Sequence, residues 1–370
     1  MMRTTECEKV ALRVDAAVEM PSTPRAGREF GSKNGFNGES RRGESEVGRT
    51  VHRIEGPAAA VLDVGSFSAR LVVLEPGGSP IDPALTHQTR LRLDRELDAD
   101  GRLSKCGIAA IAKAVANGMD CAREHGVKDV FPLATSSIRD AVNSREAVRE
   151  VARETGVELR FLSGRREAEL TYVGARRWYG AAGGPLLVLD IGGGTVELSA
   201  GAGEQATFAR SLPLGARSVT RDWLPAEPPV RSKHVSALRD HVLEEVASAL
   251  GDVKAELAEH RVVGCSKVLR QLARLAGDRP GKARELHLDD VRAWIPRLSA
   301  MPFARRAQLP GISRQRAQQA LGGAVVAEAL LTVAGGKMTI CPWSTRDGLL
   351  LTLLDQLTDA TGKHRSRPAA

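Results

Sequence analysis

The sequence predicts an α/β protein made of two halves, on three observations. LLVLDIGGGTVEL, Leu186 to Leu198, is a short apolar run that leads into Asp190, then three glycines, Thr195 and Glu197. AAVLDVGSFSARLVVLE, Ala59 to Glu75, has the same order: an apolar run, Asp63, Gly65, the hydroxyls of Ser66 and Ser68, and a second apolar run from Leu71 to Leu74. Around these two stretches, short apolar runs alternate with stripes at helical spacing, the pattern of strands interleaved with helices.

Each stretch reads as a hairpin that carries chemistry in its turn. Leu186 to Leu189 is continuous and apolar, which suits a strand buried on both faces, with Asp190 at its exit. Gly192, Gly193 and Gly194 have no Cβ, so their N–H groups can approach an anion closely. Carboxylate, glycine turn and hydroxyl together describe a phosphate and metal cradle. The alternative is a tight hairpin whose glycines serve only the turn, and the second copy at Asp63 to Arg70 tells against it. Facing each other across a cleft, the two turns would hold a phosphate chain and its metal from both sides.

With 370 residues the chain has room for two substantial cores. It is 42% hydrophobic and 26% charged, as a globular protein should be, but only 4% aromatic, so its cores must rest on Ala, Leu and Val. A formal charge of +8 favours an anionic partner without choosing among nucleic acid, polyphosphate, nucleotide and membrane surface. No nucleic-acid-binding module or aromatic platform is visible, so nucleic acid is not expected. Cys7, Cys106, Cys121, Cys265 and Cys341 are scattered without a CxxC pair, which indicates neither a zinc site nor a disulfide framework. No apolar run approaches the ~18 residues of a membrane span, and the N-terminus lacks a long apolar signal region, so a cytoplasmic enzyme without a membrane partner is expected.

In chain order, residues 1–56 mix both charges with Gly, Ser and Asn and read as a disordered extension. After the first hairpin, Ile108, Ile111, Val115 and Met119 mark a core-facing helical stripe. Asp129 to Ala134 reads as a strand running into Thr135, Ser136 and Arg139, where an anion would meet hydroxyls, helix N–H groups and a guanidinium. That segment alone favours the plainer reading, a helix capped by Ser136 or Ser137 with a surface arginine. Ser163 predicts the N-cap of a helix with Glu167 in its first turn, where an acid also complements the helix dipole. Beyond the second hairpin, Val235, Leu238, Val242, Val246 and Leu250 mark a long amphipathic helix. Arg261 to Val263 predicts a strand that turns through Cys265, Ser266 and Lys267 into a helix, with Lys267 read as a surface lysine. Leu309 to Leu331 predicts a loop and a long apolar helix, and Ile340 to Leu357 a strand and a final helix, before a basic tail from 361 to 370.

These pieces, in this order, resemble the exopolyphosphatase/guanosine pentaphosphate phosphohydrolase (Ppx/GppA) family of the actin–hexokinase-like superfamily. DVGSFSARL matches its first phosphate loop, ATSSIRDAVN its Thr-Ser-x-x-Arg-Asp segment, SGRREAEL its glutamate helix and DIGGGTVEL its second phosphate loop. SLPLGA, LPGISRQRA and CPWSTRDGLLL match later landmarks. The resemblance implies two actin-like (ribonuclease H-like) domains, residues 57–180 and 181–360, with the ligand cleft between them, as in the short members without an HD-type metal domain. It implies that Glu167 is the general base, and that Asp63, Asp190 and Glu197 surround a magnesium (or manganese) ion, some through water. Gly65, Ser66, Ser68, Ser136, Gly192, Gly193, Gly194 and Thr195 would cradle phosphates, and Arg70 and Arg139 would neutralise phosphate oxygens. The implied activity is release of terminal orthophosphate from inorganic polyphosphate, short chains in particular. Hydrolysis of guanosine penta- or tetraphosphate and non-catalytic sensing of either ligand are the alternatives, and a homodimer is left open. Three positions depart from the family pattern: Phe67 stands for an asparagine, Arg166 for a glutamate, and the Cys265–Ser266–Lys267 turn for a glycine-rich one, which weakens any purine site there.

Overall fold

The computed structural model describes residues 53–98, 100–277 and 285–365. The predicted extension lies outside them up to residue 52, and so do residues 366–370 of the basic tail. Two sheets organise the described chain. The first contains β1 (Ala59–Val64), β2 (Ser68–Leu74), β3 (Leu85–Arg90) and β4 (Phe131–Ala134) in the order β3-β2-β1-β4. The second contains β5 (Leu186–Ile191), β6 (Val196–Gly201), β7 (Phe208–Leu212), β8 (Arg261–Gly264), β9 (Glu285–His287) and β10 (Lys337–Ile340) in the order β7-β6-β5-β8-β10-β9. In each, a three-stranded antiparallel meander gains a parallel neighbour beside its first strand. This repeated order is the ribonuclease H-like, actin-like topology that was expected.

Period-two alternation assigns the first sheet two different cores. Ala60, Leu62 and Val64 face a cluster with Ile108, Ile111 and Val115 of helix α1 (Lys105–Glu124). Ala59 and Val61 face the other way, onto Leu170 of α4 (Gly164–Tyr179) and Leu349, Leu350 and Leu354 of α11 (Thr345–Arg365). Between α1 and α4 the chain forms the short α2 (Ser136–Arg139) and α3 (Ser144–Thr155). The last helix thus returns to the first sheet. It crosses α4 where glycines meet: a Cβ on Gly348 would collide with the Leu170 carbonyl, and one on Gly174 would lie 3.1 Å from the Ser344 carbonyl.

The second sheet is covered on one face by α5 (Ala216–Trp223), α6 (Ser232–Leu250), α7 (Lys267–Ala276), α8 (Leu288–Ala300) and α10 (Ala320–Val333), with the short α9 (Phe303–Arg306) preceding α10. The five stripe residues of α6 are its buried residues, each stabilising by about 1.5–3 kcal/mol relative to exposure. α10 is buried from Leu321 to Leu331, so a continuous apolar sequence is what its position demands. Its one carboxylate, Glu328, is matched by Arg239 at 2.8 Å and Arg292 at 3.3 Å. The sheet's other face, with Leu186 and Val188, packs on Tyr172 and Ala175 of α4. One helix therefore touches both sheets, and Glu167 sits in its first turn.

Candidate active site

A cavity of about 660 Å³ is lined by the turns of both hairpins, the N-terminal part of α4, and the starts of α7 and α11. The hairpins superpose in pattern. Val64 pairs with Ala69 and Ile191 with Val196, so each turn has four residues, closed by Gly65 N–H to Ser68 O at 3.0 Å and Gly192 N–H to Thr195 O at 2.8 Å. The aspartates do not end their strands, as expected from sequence; each is the penultimate strand residue and has a cross-strand partner. Asp63 lies opposite Arg70, and Asp190 opposite Glu197. Directly opposed residues share a face of the sheet, which brings the acid pair together.

The pair sits in a costly environment. Burial pushes the Asp190 carboxyl up to about 6. Burial, then repulsion by Asp190 and Glu167, pushes Glu197 up to about 8, although Glu197 Oε1 accepts a hydrogen bond from Ser211 Oγ at 3.0 Å. Among the described residues no cationic side chain is in ion-pair contact with either. Asp63 is also raised by burial, but Arg346, 3.4 Å away, and Lys267 oppose the shift.

Ser163 Oγ accepts from Arg166 N–H and caps α4, as predicted, and this places Glu167 at the cavity wall. Arg139 Nη1 donates to Glu167 Oε1 at 2.7 Å while its Nε donates to Asp140 at 3.0 Å. Burial raises the Glu167 carboxyl above the ordinary range, Arg139 opposes this, and Asp190 adds to it. Arg166 does not compete for Glu167; its Nη1 donates to Glu169 at 3.1 Å.

Most of the anticipated residues converge. Asp63, Gly65, Ser66, Ser68, Arg70, Ser136, Glu167, Asp190, Gly192, Gly193, Thr195 and Glu197 all line the cavity. Gly194 and Arg139 stand behind its wall. Gly194 turns toward the first half, where a Cβ would approach Asp140 Oδ2 to 2.6 Å, and Arg139 reaches Glu167. The capping alternative for Ser136 and Ser137 does not hold: Thr135 occupies the N-cap of α2, and Ser137 Oγ meets Ser66 Oγ and Arg217 Nη1 instead. Lys267, read as a surface lysine, lines the cavity, and burial together with Arg316 and Arg346 lowers its ammonium pKa, opposed by Asp63.

Sequence reasoning missed Arg217, Arg270, Arg316 and Arg346, all in the lining. Three of them fall inside or beside quoted landmarks: Arg217 follows SLPLGA, Arg316 belongs to LPGISRQRA and Arg346 to CPWSTRDGLLL. A second signal was available, because the first turns of α5 and α7 contain no acid but do contain Arg217, Lys267 and Arg270. Cations at a helix N-terminus oppose its dipole unless an anion is present. The structure also joins two scattered cysteines. Cys265 and Cys341 follow the paired strands β8 and β10, both buried, and a hydrogen bond between them together with burial raises the Cys265 thiol.

Among the described residues, no three His, Cys, Asp or Glu side chains form a complete metal cage. The predicted trio divides, with Asp63 against Arg346 and the other two acids facing each other across their hairpin. Two buried, unpaired carboxylates still fit a hard divalent cation, since magnesium keeps water ligands and takes phosphate oxygens in place of an all-protein cage. Among the described residues, no helix is long and apolar enough to cross a membrane.

Comparison with known proteins identifies the family. A family model described as the Ppx/GppA phosphatase family matches residues 72–357. Exopolyphosphatase 1 of Mycobacterium tuberculosis (strain H37Rv) is 40% identical over 309 residues, covering 81% of this chain and 89% of that protein. A guanosine-5'-triphosphate,3'-diphosphate pyrophosphatase of Aeromonas hydrophila is 27% identical over 324 residues, covering 84% of this chain and 62% of that one. The solved structure of an exopolyphosphatase from Cytophaga hutchinsonii overlays with a TM-score of 0.69 at 21% identity, covering 81% of this chain and 98% of that one, a likeness that speaks to fold alone.

Proposed function

Because the chain belongs to the Ppx/GppA phosphatase family, we propose that it is an exopolyphosphatase that releases terminal orthophosphate from inorganic polyphosphate, short chains in particular. The observation that carries this reading is the placement of Glu167. It is a carboxylate raised by burial and held by Arg139 at 2.7 Å, in the wall of a cavity that also contains both glycine turns. Arg139 engages one carboxylate oxygen. The other, which has no protein partner among the described residues, takes a proton from the attacking water. The water oxygen bonds to the terminal phosphorus, the bridging P–O bond breaks, and the shortened chain leaves with the bridging oxygen.

Phosphoryl transfer asks a protein chiefly to position the groups and stabilise charge. The turn N–H group of Gly193, with the hydroxyls of Ser66, Ser68, Ser136 and Thr195, would hold the phosphoryl oxygens, the N–H groups of Gly65 and Gly192 being engaged in closing the turns, and Arg70 and Arg217 would neutralise them. Asp190 and Glu197 would hold the magnesium or manganese ion, with Asp63 reaching it through water. Such an ion, when bound, offsets the charge on the transferring phosphoryl group.

General-base assistance is worth about 10²–10⁴-fold, so Glu167→Ala should lose at least about 100-fold in kcat while still binding polyphosphate. Phosphate release with magnesium, from short and long polyphosphate and from guanosine pentaphosphate, measures this. An unaltered kcat would sink the assignment. Hydrolysis of guanosine polyphosphates has one observation in its favour: Trp178 and Trp343 line the same cavity with ring centroids 5.3 Å apart. They offer a flat base an apolar surface that was not visible in the sequence. Faster turnover of pentaphosphate than of polyphosphate in the same assay would favour that reading.

A further inference from the structure

A second cavity, of about 480 Å³, adjoins the first and shares part of its wall, including Phe67, Lys267 and Arg316. Its lining holds three cations, Arg90, Lys267 and Arg316, and no carboxylate; Gln88 and Gln271 add amide donors. The cations are poorly compensated from within the protein. Among the described residues none of the three has an ion-pair partner, and burial, then the proximity of Arg270, lowers the Arg316 guanidinium pKa against the opposing pull of Asp190. Lys267 and Arg270 stand in the first turn of α7, where the helix dipole also disfavours them. Positive charge gathered against desolvation, mutual repulsion and a helix dipole indicates a site built for an anion.

The wall discriminates between anions. The aromatic ring in this lining is Phe67, and the Arg316 guanidinium lies over it at 5.4 Å from the centroid. A nucleoside base would have to displace that contact in order to stack, whereas a phosphate chain needs only donors and charge. Phe67, which stands where the family resemblance implies an asparagine donor, thereby serves as a platform that holds Arg316 between the two cavities.

We propose that the second cavity is a distal-phosphate subsite: a polyphosphate whose terminal group lies in the main cavity runs past Phe67 and is gripped by Arg316, Lys267 and Arg90. This rests on the exopolyphosphatase reading for its ligand, but its test does not need turnover. Affinity then depends on whether the chain is long enough to enter the second cavity.

Titration calorimetry on the full chain carrying Glu167→Gln, with magnesium, uses triphosphate and long-chain polyphosphate as probes. Adding Arg90→Gln, an exposed strand-end residue outside the main cavity, should weaken long-chain binding by about tenfold and change triphosphate binding by less than about twofold, as for loss of one charged contact. Lys267→Gln should weaken long-chain binding at least as much. Equal affinity for the two probes, or equal effects of Arg90→Gln on both, would overturn the subsite. If wild-type protein releases no phosphate from polyphosphate but the Arg90-dependent binding is found, the subsite stands and the enzymatic reading fails.

Discussion

The two hairpins share a four-residue turn and an aspartate at the same position, yet they are electrostatic opposites. Position for position, Asp63 corresponds to Asp190, and Arg70 to Glu197. In the first hairpin an acid faces a base and Arg346 stands beside the acid; in the second an acid faces an acid with no cation in contact. On the proposed function, one repeated backbone device would serve two ligands, the first hairpin the negative phosphates and the second a positive ion. The difference lies in the cross-strand residue and in Arg346, which the equal turn lengths do not reveal.

The comparison can be broken first at its acidic end. Asp190→Asn should cut kcat by about a thousandfold, since stabilisation of this kind is worth several kcal/mol. The same change should raise the melting temperature of the metal-free protein at pH 8, because it removes a buried charge. Activity lost with stability gained separates a ligand-binding acid from a structural one, and a fall in both would assign Asp190 to the fold. Next, Arg70→Glu would copy the second hairpin into the first. Loss of a charged contact to phosphate should raise KM about 10- to 100-fold in a steady-state assay, with kcat less affected.

The smallest effect is on stability against pH. In the unfolded chain the carboxyls of Asp190 and Glu197 titrate near 3.8 and 4.5, and in the folded one near 6 and 8. The folded state therefore holds the extra protons. Their stabilising contribution is complete below the unfolded values and is lost as pH rises through the folded ones. Metal-free protein should melt several degrees lower at pH 8 than at pH 5, and the Asp190→Asn/Glu197→Gln variant should show a flatter profile. Magnesium should raise the wild-type melting temperature more at pH 8, where fewer protons need be displaced. A magnesium shift that is the same at both pH values would mean that these acids do not hold the ion.

Much of this was legible in the chain because the relevant signals are local. The α6 stripe, the Ser163 cap, the apolar α10 and both glycine turns are each written within about one element's length. The place of Glu167 in its helix was legible because it shares a segment with its cap, whereas its proposed role came only from the family resemblance. Arg217 was missed although its acid-free helix start marks it. Arg316 and Arg346 were not legible, because each lies far along the chain from the hairpin it faces and carries no local mark of what it will meet. The same holds for the Trp178–Trp343 pair and for Cys265 beside Cys341, which only strand and helix packing bring together. Ser137 misled because a serine near a helix start reads as a cap until the tertiary fold supplies other partners.

The closing helix has a consequence for how the molecule is made. Ala59 and Val61 belong to the first strand, but the Leu349, Leu350 and Leu354 that cover them leave the ribosome long after it. Until then the inner face of the first sheet lacks part of its cover, and the helix carrying Glu167 lacks the partner it crosses at Gly174 and Gly348. Contacts of such long sequence separation are slow to form and leave apolar surface open meanwhile. The first sheet thus waits on α11 for completion, and a nascent chain stalled before residue 345 would present an α4 without the partner it crosses.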